Sequence, residues 1–142
     1  MNEPIDFYGG PFSNFAYSPI TVDVGFGEHE YATVEHAFQA AKATTEWQHH
    51  AVRACGTPGF AKQAGRQVTL RPDWEEVKYD IMVKCLREKF KIKMFKRELL
   101  STGHRELRED SPTDFEWGAR NSGKNLLGKA LMQIRQELHD SQ

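Results

Sequence analysis

Apolar and polar positions alternate or recur with a readable period along most of this chain. Ile20-Thr21-Val22-Asp23-Val24 alternates as a half-buried strand does, and the surrounding first thirty residues, with Gly9-Gly10-Pro11 and Ser18-Pro19, read as short strands and loops. Val34, Ala37, Phe38 and Ala41 then recur at helical spacing behind Thr33, a residue suited to an N-cap. The spacing predicts a helix from about Val34, with no clear continuation after Thr44-Thr45. Thr57-Pro58 opens a short helix that Gly65 would stop.

Asp73-Trp74-Glu75-Glu76 has the form of a capping box and begins a long helix with Trp74, Val77, Ile81, Cys85 and Leu86 as its apolar stripe. Phe95, Leu99 and Leu100 predict another short helix ending near Gly103. Leu126, Leu127, Ala130, Leu131, Ile134 and Leu138 predict a terminal one. The pattern gives an α+β fold, mainly helical with a small N-terminal strand and loop region. With no internal repeat or Ser/Gly/Pro linker, residues 1–142 are expected to form one compact domain.

Composition narrows the class. The chain has 142 residues, 39% of them hydrophobic, with nine Phe, three Trp and four Tyr, which is ample core material and excludes disordered or collagen-like readings. No apolar run approaches the roughly 20 residues that cross a bilayer, and the acidic start lacks the form of a secretory signal, so a cytoplasmic protein with no membrane partner is expected. Cys55 and Cys85 fit no disulfide or zinc pattern and read as reduced core thiols, and the six histidines never adopt a ligand spacing such as HExxH. Neither a metal nor another cofactor is expected.

The formal net charge of −1 conceals a basic run. Between Lys78 and Arg97 stand eight basic residues against two acidic ones, either a phosphate-attracting stripe or an ordinary solvated helix face. Glu35 falls in the first turn of its predicted helix, where exposed amides and the macrodipole favour an ionised carboxylate. Gln39 and Lys42 follow it at i+4 and i+7, with His36 adjacent, so they line a cleft or simply a polar helix face. Gly118-Ala119-Arg120-Asn121-Ser122-Gly123-Lys124-Asn125 contains GxxxxGK but lacks the Ser/Thr and the preceding buried strand of a nucleotide-hydrolysing loop. Its glycines, the following helix start and Lys124 still suit contact with phosphate or ribose.

Six segments, in order, resemble the successive motifs of the NADAR (YbiA-like) family: Phe7-Tyr8-Gly9, Phe12-Ser13-Asn14-Phe15, Thr33 to Lys42, Arg71 to Met82, Asp114-Phe115-Glu116-Trp117-Gly118 and Gly123 to Met132. The resemblance implies a compact, mainly helical α+β domain that hydrolyses ribosyl N-glycosidic bonds. The substrates it implies are phosphorylated ribosylamino-pyrimidine intermediates of riboflavin synthesis, or ADP-ribosylated guanine, the latter bringing ADP-ribosylated DNA or RNA in as a partner.

It carries over Glu35, Lys42, Asp114, Trp117, Gly118, Ser13 and Asn14; taken with the helix face and the glycine loop, Glu35, Lys42 and Asp114 are expected as catalytic residues, and Tyr8, Gly9, Ser13, Asn14, His36, Gln39, Trp117, Gly118, Lys124 and Asn125 as substrate contacts. Lys42 has two open roles, a Schiff-base nucleophile or a phosphate partner. For Asp114 and Trp117, turn formation and core packing compete with ribose and base contact. A non-catalytic ADP-ribose or nucleotide-binding module is the competing function.

Overall fold

The computed structural model describes residues 2–142. They form an α+β structure dominated by helices: β1 (Ile5–Phe7), β2 (Ile20–Val22), β3 (His29–Tyr31), α1 (Val34–Ala40), α2 (Glu46–Arg53), α3 (Pro58–Gly65), α4 (Trp74–Lys89), α5 (Lys93–Leu100), β4 (Leu107–Glu109) and α6 (Leu126–Asp140). Two compact units share these elements. One is the central stretch Asn14–Lys89, and the other combines the residues up to Ser13 with Phe90–Gln142. Among the described residues, no helix is long and apolar enough to cross a membrane.

The central unit is built around α1. Antiparallel β2 and β3 pair Ile20 with Tyr31 and Val22 with His29, and α4 packs on β2. Helix α1 is surrounded by α2, α3, α4 and β3, which leaves all seven of its residues buried. A seven-residue helix is too short to persist in water, so this enclosure is what holds it together. Its first amides are already satisfied: Glu35 N–H donates to Asn14 O (3.1 Å) and His36 N–H to the Thr33 hydroxyl (3.1 Å).

Helix α4 buries a different face from the one its aliphatic residues predict. Trp74, Lys78, Met82, Cys85, Leu86 and Lys89 are inside, whereas Val77 and Ile81 are only half-buried. Lys89 is fully buried, and burial pushes its pKa down to about 7. Lys78 Nζ pairs with Glu75 Oε1 at 2.6 Å. The basic run is therefore not a continuous solvated stripe, because two of its lysines lie inside the central unit. Asp73 also departs from the capping box: its carboxylate engages the Arg71 guanidinium in two hydrogen bonds, of 2.6 and 3.0 Å. Of the two thiols, Cys85 is a core residue and Cys55 is half-exposed, both reduced.

In the terminal unit, β1 and β4 pair in parallel, Ile5 with Leu107 and Phe7 with Glu109. Helix α6 packs on β4 and on α5, burying Leu127, Ala130, Leu131 and Ile134. Arg135 is buried with them and donates to Thr102 Oγ1 at 2.7 Å.

The central unit also buries an imidazole. His49 on α2 is wholly buried, its Nε2 lies 2.6 Å from the Tyr31 hydroxyl, and burial, reinforced by nearby His50, pushes its pKa down to about 4. Burial pushes the Tyr31 phenol up to about 12, which keeps its proton available as the donor to that nitrogen. The folded protein thus binds this proton later than the unfolded chain, whose histidine titrates near 6.5. Stability is full above pH 6.5 and falls as pH drops from 6.5 towards 4. Thermal melts across that window should show a declining Tm, and His49→Gln should flatten the decline even if it lowers Tm at neutral pH; an equal slope in both proteins would refute the assignment.

Candidate active site

Glu35 projects from the first turn of α1 and is only 7% exposed. A buried carboxylate is costly unless hydrogen bonds replace its hydration. Helix-terminal amides are expected to stabilise it, but those of Glu35 and His36 are donated elsewhere. A donor stands one turn along: Gln39 Nε2 reaches Glu35 Oε2 at 2.6 Å. The i, i+4 spacing brings the two side chains together on one face, as the sequence implies. Asn14 joins them through its carbonyl, which accepts the Glu35 amide, and its own side chain is buried with Nδ2 3.5 Å from Met82 Sδ.

His36 belongs to the frame. Its Nε2 lies 2.8 Å from the Cys55 carbonyl, which can only accept, so the ring carries its proton there. Nδ1 is then the acceptor for the Thr33 hydroxyl at 2.8 Å, the same hydroxyl that caps α1. Both ring nitrogens are thus committed to protein partners, which argues for a positioning rather than a substrate-contact role.

Lys42 lies two residues beyond the end of α1. Its Nζ stands 5.8 Å from the Phe38 ring centre and 5.7 Å from that of Trp74, two rings that pack on each other with centroids 5.0 Å apart. Such an arrangement favours an ammonium ion. Trp74, at the start of α4, is buried and serves as the aromatic floor for this lysine.

The remaining candidates lie in the terminal unit, mostly in a tightly self-bonded loop. Asp114 Oδ1 accepts from Glu116 N–H (3.0 Å) and Trp117 N–H (2.9 Å), so this oxygen organises its own turn. Gly118 N–H donates to Asp114 O, and a side chain at Gly118 would overlap that same carbonyl. Trp117 is buried. Asn125 adopts a left-handed conformation (φ 54°), and its buried amide spans β4, donating to Leu107 O (2.9 Å) and accepting from Glu109 N–H (3.1 Å).

The expected anion cradle is narrowed by the loop's own bonding. The amides of Gly118, Ala119 and Gly123 through Leu127 all donate to backbone carbonyls of residues 109–120, so they are not presented to an anion. Asn125, expected as a substrate contact, is a structural clamp instead, because both ends of its amide bind the β4 backbone. Lys124 is exposed, as is Tyr8 at 68%. Gly9 and Gly10 take positive φ (93° and 72°) in the turn that Ser13 N–H closes onto Gly10 O.

Gly65 was legible in the sequence only as a helix stop. In the structure it is the last residue of α3 and is buried against Gln39: a Cβ there would overlap Gln39 Oε1 and stand 2.9 Å from Cδ. An open cleft of about 670 Å³, lined by Cys55, Phe60, Gln63 and Arg66 among others, contains none of the predicted residues. Among the described residues, no group of three or more His, Cys, Asp or Glu is placed to hold a metal ion.

Comparison with known proteins accords with this architecture. The NADAR domain profile matches residues 6–139 and so spans both units. The chain is 39% identical to N-glycosidase YbiA of Escherichia coli (strain K12), covering 94% of this chain and 88% of that protein. It is 40% identical to N-glycosidase Npun_R5314 of Nostoc punctiforme, over 92% of this chain and 86% of the relative. The chloroplastic riboflavin biosynthesis protein PYRR of Zea mays is 33% identical, with 91% of this chain matching 23% of that longer protein. The NMR structure of E. coli YbiA superposes with a TM-score of 0.86 at 38% identity, over 99% of this chain and 88% of that one. A buried carboxylate at the head of a short enclosed helix is thus carried on a fold shared with YbiA, and the chain belongs to the NADAR family.

Proposed function

We propose that this protein is an N-glycosidase that hydrolyses the ribosyl C–N bond of a phosphorylated ribosylamine or an ADP-ribosylated base, with Glu35 as its principal carboxylate. The observation that carries the reading is the buried Glu35 side chain with Gln39 donating to it at 2.6 Å. The names of the N-glycosidase relatives support the reaction class, and the name of the Zea mays relative supports a riboflavin-linked substrate.

The chemistry needs such a group. As the C–N bond breaks, its electron pair leaves with the base or amine and positive charge develops on the anomeric carbon. A fixed carboxylate in a region of low dielectric stabilises that charge before any solvent must reorganise. Water then adds to the carbon and gives up a proton, the leaving nitrogen gains one, and the products are free ribose phosphate, or ADP-ribose, and the amine or base.

Lys42 fits a phosphate partner better than a Schiff-base nucleophile, because the Phe38 and Trp74 rings favour the charged ammonium over the neutral amine that would attack a carbonyl. The burial of Lys78 and Lys89 within the basic run favours a small phosphorylated molecule over a nucleic-acid strand. Within the terminal unit, Asp114, Gly118 and Asn125 shape their own loop.

Wild type and Glu35→Gln, incubated separately with a phosphorylated ribosylamino-pyrimidine and with ADP-ribosylguanine, should differ in base release by about 10²–10⁴-fold on the true substrate, at equal Tm. Full turnover by the variant would exclude Glu35, and binding of ADP-ribose without release by wild type would point to a non-catalytic module. Lys42→Met should raise KM for the phosphorylated substrate and leave the dephosphorylated one nearly unaffected. A covalent adduct trapped by borohydride in wild type and lost in this variant would instead assign Lys42 as the nucleophile.

A further inference from the structure

We infer that Gly65, on α3, is a positioning residue for the reaction, acting through Gln39 on the Glu35 carboxylate. The inference rests on the proposed role of Glu35. Gln39, expected as a substrate contact, becomes the middle member of this relay.

The geometry is specific. Gln39 is 5% exposed, and its two amide atoms have opposite surroundings. Nε2 donates to Glu35 Oε2 at 2.6 Å. Among the described residues, Oε1 is buried without an N–H or O–H donor. A buried carbonyl so placed is unusual and calls for an explanation. It faces Gly65, where a Cβ would overlap it, so the oxygen occupies the space that any side chain at this position would need. Gln39 Cδ and Cβ line the same surface, 2.9 and 3.0 Å from that Cβ position.

This packing selects one of the two amide orientations. Turning the amide over would set Oε1 against the carboxylate, acceptor against acceptor, and would press the bulkier NH₂ group on Gly65. The glycine is required by close approach, since its backbone is ordinary helix with no positive φ. Any side chain there displaces the amide, and the carboxylate loses this donor. A shift of that kind at the reacting carboxylate, without loss of a substrate contact, lowers kcat and leaves KM nearly unchanged.

The test is a double-mutant cycle of Gly65→Ala and Gln39→Ala, with Glu35→Gln measured beside it on the substrate that wild type turns over. Each single variant should lose about tenfold to 100-fold in kcat with KM within about twofold. The double variant should match Gln39→Ala alone in kcat, because truncating the glutamine removes Oε1 and Cδ, leaving only Cβ at 3.0 Å from the added methyl, and removes the group through which the glycine acts. It should also regain part of the Tm lost by Gly65→Ala, which keeps the cycle readable if that single variant folds poorly. Losses that multiply in the double variant, or a Gly65→Ala protein with wild-type kcat while Glu35→Gln is inactive, would overturn the relay alone. A fully active Glu35→Gln protein would overturn the reading of the carboxylate, and the relay with it.

Discussion

Every residue of α1 from Val34 to Ala40 is withdrawn from water, and three of the seven, Glu35, His36 and Gln39, have polar side chains whose hydration must be replaced. That requirement shapes the central unit. Thr33 serves His36 twice, through its backbone amide and through Nδ1, while the Cys55 carbonyl takes the remaining ring proton. Glu35 and Gln39 serve each other. Leaving a buried polar group unpaired costs about 1–3 kcal/mol, several such groups together would rival the whole stability of a small domain, and so the bonds that hold the fold also orient the candidate chemistry.

The two units treat polar groups in contrasting ways. In the terminal unit, the amides of Gly118, Ala119 and Gly123 through Leu127 donate to carbonyls of residues 109–120, and those of Glu116 and Trp117 to the Asp114 carboxylate, so much of a motif that looks like a phosphate cradle turns inward on itself. Near α1, by contrast, the Lys42 ammonium rests against aromatic faces, an arrangement that leaves its charge intact. A glycine-rich motif therefore carries less functional information than an accounting of where each donor goes.

Much of this was legible in the sequence wherever local signals agreed. Thr57 caps α3 through its side chain, Val34 opens α1, and the terminal helix buries Leu127, Ala130, Leu131 and Ile134 as their spacing implies. Helix α2 was missed because it buries only His49 and Val52, which form no apolar stripe. Of the α4 stripe, Trp74, Cys85 and Leu86 are buried as their spacing implies, whereas Val77 and Ile81 are half-buried and Lys78 and Lys89 lie inside, a placement that periodicity does not reveal for charged residues. At the candidate site, the i, i+4 pairing of Glu35 with Gln39 follows from helical geometry alone. The packing of Gly65 on Gln39 does not, since it depends on how α3 lies against α1, and the roles of Asn125 and His36 depend on carbonyls 18 and 19 residues away.

The parallel pairing of β1 with β4 has a consequence for how the chain is made. The strands are bridged by the ion pair of Asp6 with Arg108, partners 102 residues apart in sequence. At ribosomal rates of about 5–20 residues per second, the first strand waits roughly 5–20 s after synthesis before its mate exists. During that interval it has neither ladder nor cover, while the contiguous stretch from Asn14 to Lys89 already has all of its own contacts available. Nascent chains of this protein should accordingly acquire order from the middle outward, with the two ends zipped last and at the slow pace that long loop closure imposes.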